Sequence, residues 1–293
     1  VYKRQEVDIN DARLLVKIAE LISLAFNQDK PEIEFLKKNI LCEESSLPSI
    51  FLVAFDGDHL VGCNAFIAND FCVNQEFVPC FQSCWSATHP EYQGQGIFIA
   101  IQQEAKNILA ERGGSFIYGL PNDASHPIFV KKLNFFEVDC LFARIPNIPI
   151  IRNLWINKSF VINRGNTQTI EVNERQIAKF KKNLNSNIIE MQVGSSYAWG
   201  KIQSRKKFNL NIKVFTLGGM YINTSKDFLT ILNEIYSLDC HFIEILSCKS
   251  NSCNNFFKNW KKSLSHRFIF YNLTNVQNNF QNINLMKGIS DTF

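Results

Sequence analysis

The stretch HPEYQGQGIF, residues 89–98, decides how the chain is read. Gly94 and Gly96 allow a tight turn and a close approach of backbone to a ligand. The apolar residues that follow at 97, 100, 101, 105, 108 and 109 keep helical spacing until Gly113-Gly114 stops them. A helix start leaves N–H groups without partners and carries the positive end of the helix dipole, so a glycine turn there suits an anion.

Two anion-holding loops are excluded by single residues. A P-loop needs Lys and then Ser or Thr after its last glycine, but Gly96 is followed by Ile97-Phe98. The dinucleotide fingerprint needs a third glycine where Ile99 stands, and a parallel βαβ unit around it. The segments before this turn read as an antiparallel meander instead. SIFLVAF (49–55) and LVGCNAFIA (60–68) flank the hairpin turn Asp56-Gly57-Asp58, and a third strand over about 77–88 ends at His89-Pro90.

Outward from the meander, Asp11 is an N-cap for a helix with Leu14, Leu15, Ile18, Leu21, Ile22 and Phe26 on one face. Pro31 opens a second helix. Downstream, SFIYGL (115–120) is a short buried strand, PNDASHP leads into a helix around 128–133, and a strand covers about 138–145. Pro146 and Pro149 mark the exit from a first domain, residues 1–148, and leave 149–293 for a second. That half repeats the order: a strand near 211–217, a helix at 227–238, a strand at 242–246, a helix at 254–264 and a strand at 267–271. No GxG turn precedes its first helix, so a second copy of the unit would lack the anion cradle.

The 293 residues exceed one average domain and suit two. With 46% hydrophobic and 20% charged residues the chain has the profile of a well-cored protein rather than a disordered one. A net charge of +4 helps to hold a phosphate-bearing small molecule but is too weak a footprint for nucleic acid. Nine cysteines, an odd number without a CxxC pair or metal-ligand spacing, argue for buried free thiols in a reducing cytoplasm and against a metal site. Residues 1–6 carry no apolar signal core and no run approaches the ~18 apolar residues of a membrane helix, so no membrane partner is expected.

An antiparallel meander, a strand ending in x-Pro-x-Tyr, and [QR]-x-x-G-x-[GA] opening an amphipathic helix resemble the acyl-coenzyme A core of the GNAT N-acyltransferases. Here the segment is Thr88-His89-Pro90-Glu91-Tyr92-Gln93-Gly94-Gln95-Gly96-Ile97-Phe98. Phe98 departs from the family's usual small residue, and GIF at this point recurs in a subgroup. Gly119-Leu120-Pro121-Asn122 with Ser125, and Phe129-Val130-Lys131-Lys132-Leu133-Asn134-Phe135, are similar to that subgroup's next strand and helix. The resemblance covers about residues 8–145. It implies a GNAT fold, an α/β (α+β) arrangement in which a mixed, mostly antiparallel sheet is flanked by helices. A degenerate GNAT-like second domain, for the acceptor, would fill the C-terminal half.

By resemblance, the N–H groups of Gly94, Gln95, Gly96, Ile97 and Phe98, with Gln93, hold the diphosphate of acetyl-CoA or another short acyl-CoA. The strand end Trp85 to Thr88 lies beside the pantetheine, and the N–H of Ser86 or Ala87 polarises the thioester carbonyl. Asn122 touches the pantetheine, with Ser125 beside it. Amine attack on a thioester needs a neutral amine and is helped by a base and an acid. The tyrosine acid of many family members is missing, since its position falls on Val130. Imidazole suits a base at neutral pH, so His126 is the candidate; the plainer alternative is a helix-start histidine facing solvent.

The acceptor is less legible. The GIF and GLPN pattern followed by a motif-poor half looks most like bacterial transferases that acylate an amine on a nucleotide-linked sugar, such as a dTDP-amino-dideoxyhexose of surface polysaccharide or O-antigen synthesis. The acyl group would be acetyl or a short hydroxyacyl such as 3-hydroxybutyryl. Tyr197, Trp199, Arg205, Tyr221 and Ser290-Asp291-Thr292 are candidates to stack a base or bind a diphosphate, against a plain core role for Trp199 and Tyr221. The alternatives are a non-catalytic acyl-CoA-binding protein and an aminoacyl or peptide N-acyltransferase of the same superfamily.

Overall fold

A computed structural model describes residues 2–40, 45–73, 76–157, 169–184, 187–207, 210–263, 267–274 and 282–289. Its first elements are β1 (Lys3–Glu6), α1 (Ala12–Phe26), α2 (Ile33–Ile40), β2 (Ile50–Asp56), β3 (His59–Val73) and β4 (Glu76–Thr88). Then come α3 (Ile97–Glu111), β5 (Phe116–Gly119), α4 (His126–Lys132) and β6 (Phe136–Val138). Asp11 caps α1 as expected, its carboxylate accepting from the Arg13 and Leu14 N–H groups at 3.1 and 3.0 Å. Pro31 stands two residues ahead of α2, in the extended approach to it.

The rest of the chain gives β7 (Cys140–Pro146), β8 (Thr169–Val172), α5 (Glu174–Leu184), β9 (Ile188–Val193), β10 (Ser196–Lys207) and β11 (Leu210–Tyr221). It ends with α6 (Ser225–Ser237), β12 (Phe242–Cys248), β13 (Lys261–Lys262), β14 (Phe268–Asn272) and β15 (Asn282–Asn284). The helix expected over 254–264 is instead a 3-10 turn, Ser252–Phe256, followed by the short β13. Side chains fix that turn: Asn251 accepts from the Cys253 N–H at 2.8 Å, and Asn254 donates to the Cys248 and Lys249 carbonyls at 2.8 and 3.0 Å. The consecutive Phe256 and Phe257 are both buried against Phe228 of α6, a pairing that one helix face does not offer.

Contacts divide the chain into two compact units. One comprises Val1–Phe71, Phe77–Glu137 and Phe268–Gln277; the other comprises Cys72–Glu76, Val138–Arg267 and Asn278–Phe293. In the first unit the strands run β1-β2-β3-β4-β5-β14-β6. The hairpin β2–β3 is antiparallel and β4–β5 is parallel, with α3 as the crossover. Ile97, Ile101, Ala105 and Leu109 of α3 bury against Ile50, Leu52, Phe81 and Ile117. β14 arrives from the far end of the chain and pairs antiparallel with β5, from Ile269↔Gly119 to Asn272↔Phe116.

In the second unit the order is β13-β7-β12-β11-β10-β9. The strand after β6, which the sequence assigns to the first domain, therefore sits in the second sheet, antiparallel to β12. The meander β9–β10–β11, the crossover α6 and the parallel β12 repeat the order β2–β3–β4, α3, β5. Phe228, Ile231 and Ile235 of α6 pack on Phe215, Leu217, Ile243 and Ile245.

Trp199 of β10 is fully buried and its indole N–H donates to Glu174 at 2.8 Å. Gly219 makes the room, since a Cβ there would come within 1.6 Å of the Glu174 carboxylate. Burial pushes the Glu174 carboxyl up to about 8, against the hydrogen bond from Trp199 that favours the charged form. A raised acid binds a proton in the folded state that the unfolded chain has released, so its contribution to stability falls as the pH rises from about 5 to about 8. Glu174→Gln keeps an acceptor for Trp199 and removes the titration. Melting at pH values across this range is expected to show a gain of the variant over wild type that grows with pH, reaching about 1 kcal/mol or more. A difference that does not vary with pH would refute the assignment.

Candidate active site

The site begins at the turn between β4 and α3. Residues Pro90–Tyr92 form one 3-10 turn, and Gly94 and Gly96 both take the left-handed conformation at φ +79°. Nothing lies within 4 Å of a Cβ built at either glycine, so the turn faces open space. The motif's side chains brace it from behind. Tyr92 donates to Asp56 at 3.1 Å, Gln93 to the Thr88 carbonyl at 3.4 Å and Gln95 to the Glu91 carbonyl at 3.3 Å, while Gln95 also accepts from the Tyr2 hydroxyl. Gly96 caps α3 without a side-chain hydrogen bond, so the first N–H groups of the helix, with the positive end of its dipole, are presented to that space.

Beside the turn, β4 and β5 part. Their parallel register runs from Cys80↔Phe116 to Gln82↔Tyr118 and ends there, although β4 continues to Thr88. Trp85 takes φ +49°, a conformation rare for a bulky residue, and bends the strand. Its indole packs on Phe35 and Phe51, with ring centroids 6.0 and 6.3 Å away, so Trp85 serves the site through its backbone. The thiol of Cys63 donates to the Trp85 carbonyl; burial pushes this thiol up to about 12, opposed by a backbone hydrogen bond from Ala87. The Ala87 N–H is therefore turned toward β3, and the alternation of a strand turns the Ser86 N–H to the opposite edge, where β5 has left.

A polar network that sequence reasoning missed lies beneath this bend. Gln102 of α3 donates to Asn64 at 3.2 Å and to Ser83 at 2.8 Å, Asn64 donates to Ser83 at 3.2 Å, and the Ser86 hydroxyl donates to Asn64. Asn64 and Gln102 are fully buried, and the Gln102 carbonyl oxygen has no partner among the described residues. The one signal in the sequence is a polar residue inside the apolar stripe of α3. The network joins α3, β3 and β4, and so fixes the bend relative to the helix start.

Asn122 is engaged locally. Its carbonyl oxygen accepts from the Ala124 and Ser125 N–H groups at 3.1 and 2.9 Å and from the Ser125 hydroxyl at 3.0 Å, which closes the turn into α4. His126 is not turned to solvent alone: its Nε2 lies 2.7 Å from a Glu137 carboxylate oxygen. Val130 stands in α4, as the sequence has it, and supplies no phenol. Phe98 packs edge-on against Phe129 of α4 at 5.2 Å, so the bulky residue at this motif position joins the two helices. In the second unit, Trp199 and Tyr197 are buried, Tyr221 is exposed, and residues 290–292 lie outside the described residues.

An open glycine turn at an uncapped helix start, beside a parted pair of parallel strands, fits a long ligand with a diphosphate at one end. Residues 11–136, which include all of these parts, match the family model described as acetyltransferase (GNAT) domain. Residues 11–136 are thus similar to a GNAT acetyltransferase domain. On this match the chain is an enzyme of the N-acyltransferase class, and the fold implies an acyl-CoA cosubstrate. Solved structures agree on the fold: a GCN5-related N-acetyltransferase from Kribbella flavida superposes with a TM-score of 0.64 at 8% identity, over 93% of this chain and 72% of that one. A GCN5-related N-acetyltransferase from Anabaena variabilis gives 0.61 at 12% identity, over 94% and 73%. Eis1 from Mycobacterium abscessus gives 0.61 at 10%, over 93% and 74%. Among curated protein sequences none matches.

The GNAT turn is held in place by close packing at Gly62 of β3. A Cβ there would lie 2.6 Å from the Ile97 side chain and 3.2 Å from that of Ile101, in the first turns of α3. Gly62→Ala is expected to cost about 1–3 kcal/mol by overpacking and to weaken CoA binding, because the helix start must move. Thermal melts and a CoA titration check this; a lower melting temperature with unchanged CoA affinity would show a packing role only.

Proposed function

We propose that the chain moves an acetyl or short hydroxyacyl group, such as 3-hydroxybutyryl, from acyl-CoA to the amine of a nucleotide-linked (dTDP) amino-dideoxy sugar, for surface-polysaccharide synthesis in the cytoplasm. The observation that carries the donor half is the open turn at Gly94 and Gly96 where β4 and β5 part. The acceptor half is supported by the GIF and GLPN motifs and their resemblance to that subgroup.

Bound acyl-CoA supplies an activated carbonyl and a thiolate leaving group. In this reading the N–H groups from Gly94 to Phe98 hold the diphosphate, and the edge of β4 beyond Ser83 aligns the pantetheine as a strand would. The Ser86 N–H is the donor for the negative charge that builds on the thioester oxygen; Ala87 is the weaker candidate because its N–H is turned to Cys63. The Asn122 amide N–H groups remain for a pantetheine carbonyl, since only its oxygen closes the turn. His126, oriented by Glu137, takes the proton from the amine as the C–N bond forms and the C–S bond breaks.

Two measurements test this. Gly96→Asp places a carboxylate where the diphosphate would sit; aspartate tolerates the left-handed conformation and the space is open, so the fold survives. CoA affinity is expected to fall by about 100-fold or more, and unchanged affinity would sink the cradle. Thiol release from acetyl-CoA and 3-hydroxybutyryl-CoA with a panel of dTDP-amino sugars is expected to reveal turnover with at least one. Tight CoA binding without turnover would favour a non-catalytic binder, and turnover with an aminoacyl or peptide amine alone would move the chain to that class.

A further inference from the structure

The second unit holds a cavity of about 550 Å³ on the sheet face opposite α6. Register puts Lys201, Thr216, Glu244 and Arg144 side by side on β10, β11, β12 and β7, so their side chains stand in a row on that face. A polar row across the middle of a sheet is unusual, because such a face ordinarily buries apolar residues. Among the lining residues are five cations, Arg144, Arg205, Lys261, Lys262 and Lys287, against one carboxylate, Glu244.

Glu244 does not balance them. It is buried and already held by both guanidiniums, with Arg144 Nε at 2.8 Å and Arg205 at 2.9 and 3.0 Å. Asp139 takes Lys262 at 2.7 Å. Three positive charges are left over. Lys287 makes no ion pair among the described residues, and its pKa is lowered by burial and then by Arg205. Thr216 is 2% exposed, lines the cavity, and its hydroxyl has no hydrogen-bond partner among the described residues. A buried hydroxyl without a partner and a surplus of cations in the same cavity are the complement of an oxyanion.

We infer that this cavity binds the diphosphate of a nucleotide-bearing ligand, through Arg144, Arg205, Lys261, Lys287 and the Thr216 hydroxyl. The volume is that of a small-molecule site, far more than one inorganic phosphate needs. Three surplus charges match a diphosphate better than a carboxylate. Anion binding here stands apart from the proposed function; naming the acceptor's diphosphate as its source rests on that reading.

Inorganic pyrophosphate is titrated calorimetrically into the full chain carrying Gly96→Asp, which blocks the donor turn. Binding is expected, weakened about ten-fold or more by adding Lys287→Gln. Thr216→Val is expected to weaken it as well, while melting no lower than its parent without pyrophosphate, because the lost hydroxyl had no partner. No pyrophosphate binding to the Gly96→Asp protein overturns the site, as does binding untouched by Lys287→Gln and Thr216→Val. In the same protein dTDP is expected to displace pyrophosphate and CoA to leave it in place. Displacement by CoA alone overturns the assignment to the acceptor, whereas failure of CoA binding in the wild type bears on the donor cradle only.

Discussion

Everything at the candidate site depends on where β4 and β5 stop pairing. Their shared register covers three positions, and β5 ends at Gly119 just before Leu120-Pro121, where proline can no longer donate to a ladder. β4 continues alone for another turn of pleat with one edge unpaired. Backbone N–H groups left on an edge must find partners, and a pantetheine with its amides in a line is such a partner. The bend at Trp85 is a costly conformation for a bulky side chain. It persists because the surroundings over-determine it: Phe35 and Phe51 hold the ring, Cys63 the carbonyl, and the Asn64–Ser83–Gln102 network the next residue.

The two units share one topology and differ in electrostatics. The helix that follows the meander is uncapped in the first, where Gly96 offers no side chain. In the second, the Thr224 hydroxyl accepts from the Asp227 N–H at 3.1 Å, and Asp227 puts a carboxylate in the first turn of α6 and accepts from Ser196 at 2.7 Å. A helix start that carries its own anion has no use for a foreign one. The cations of the second unit lie elsewhere, on the face of the sheet, so the absence of a glycine turn there does not make that unit a passive copy.

Local signals carried the first half of the chain well. The Asp11 cap, the hairpin at Asp56-Gly57-Asp58 and the glycine-bounded α3 each rest on residues within one turn or one strand of each other, and each is where sequence places it. What sequence could not show is pairing at long range. The strand at 140–146 reads as a fine β7 but nothing in it says which sheet it joins, and the strand at 268–272 is silent in the same way. The turn at 252–256 was hidden because two asparagine side chains, Asn251 and Asn254, not backbone periodicity, decide it. Arg205 was legible as a cation; that it shares Glu244 with a residue 61 positions earlier was not.

The exchange of strands ties the sheet beneath α3 to a late part of the chain. β14 completes the first sheet, and its Tyr271 ring lies under the Lys106 ammonium of α3, 3.4 Å from nitrogen to centroid. Lys106 also donates to the Leu133 carbonyl at the end of α4, and burial pushes its amine down to about 8. One side chain thus gathers α3, α4 and a strand encoded more than a hundred residues later. Part of the seat of α3, Ile269 and Tyr271 of β14, lies outside the matched segment 11–136. Such a unit cannot close its own core from that segment alone, because the exposed edge of β5 and the lower face of Lys106 would both be left to water. β14, encoded after the whole second sheet, is then a structural requirement of the first, which gives a physical reason for the two segments to have remained one chain.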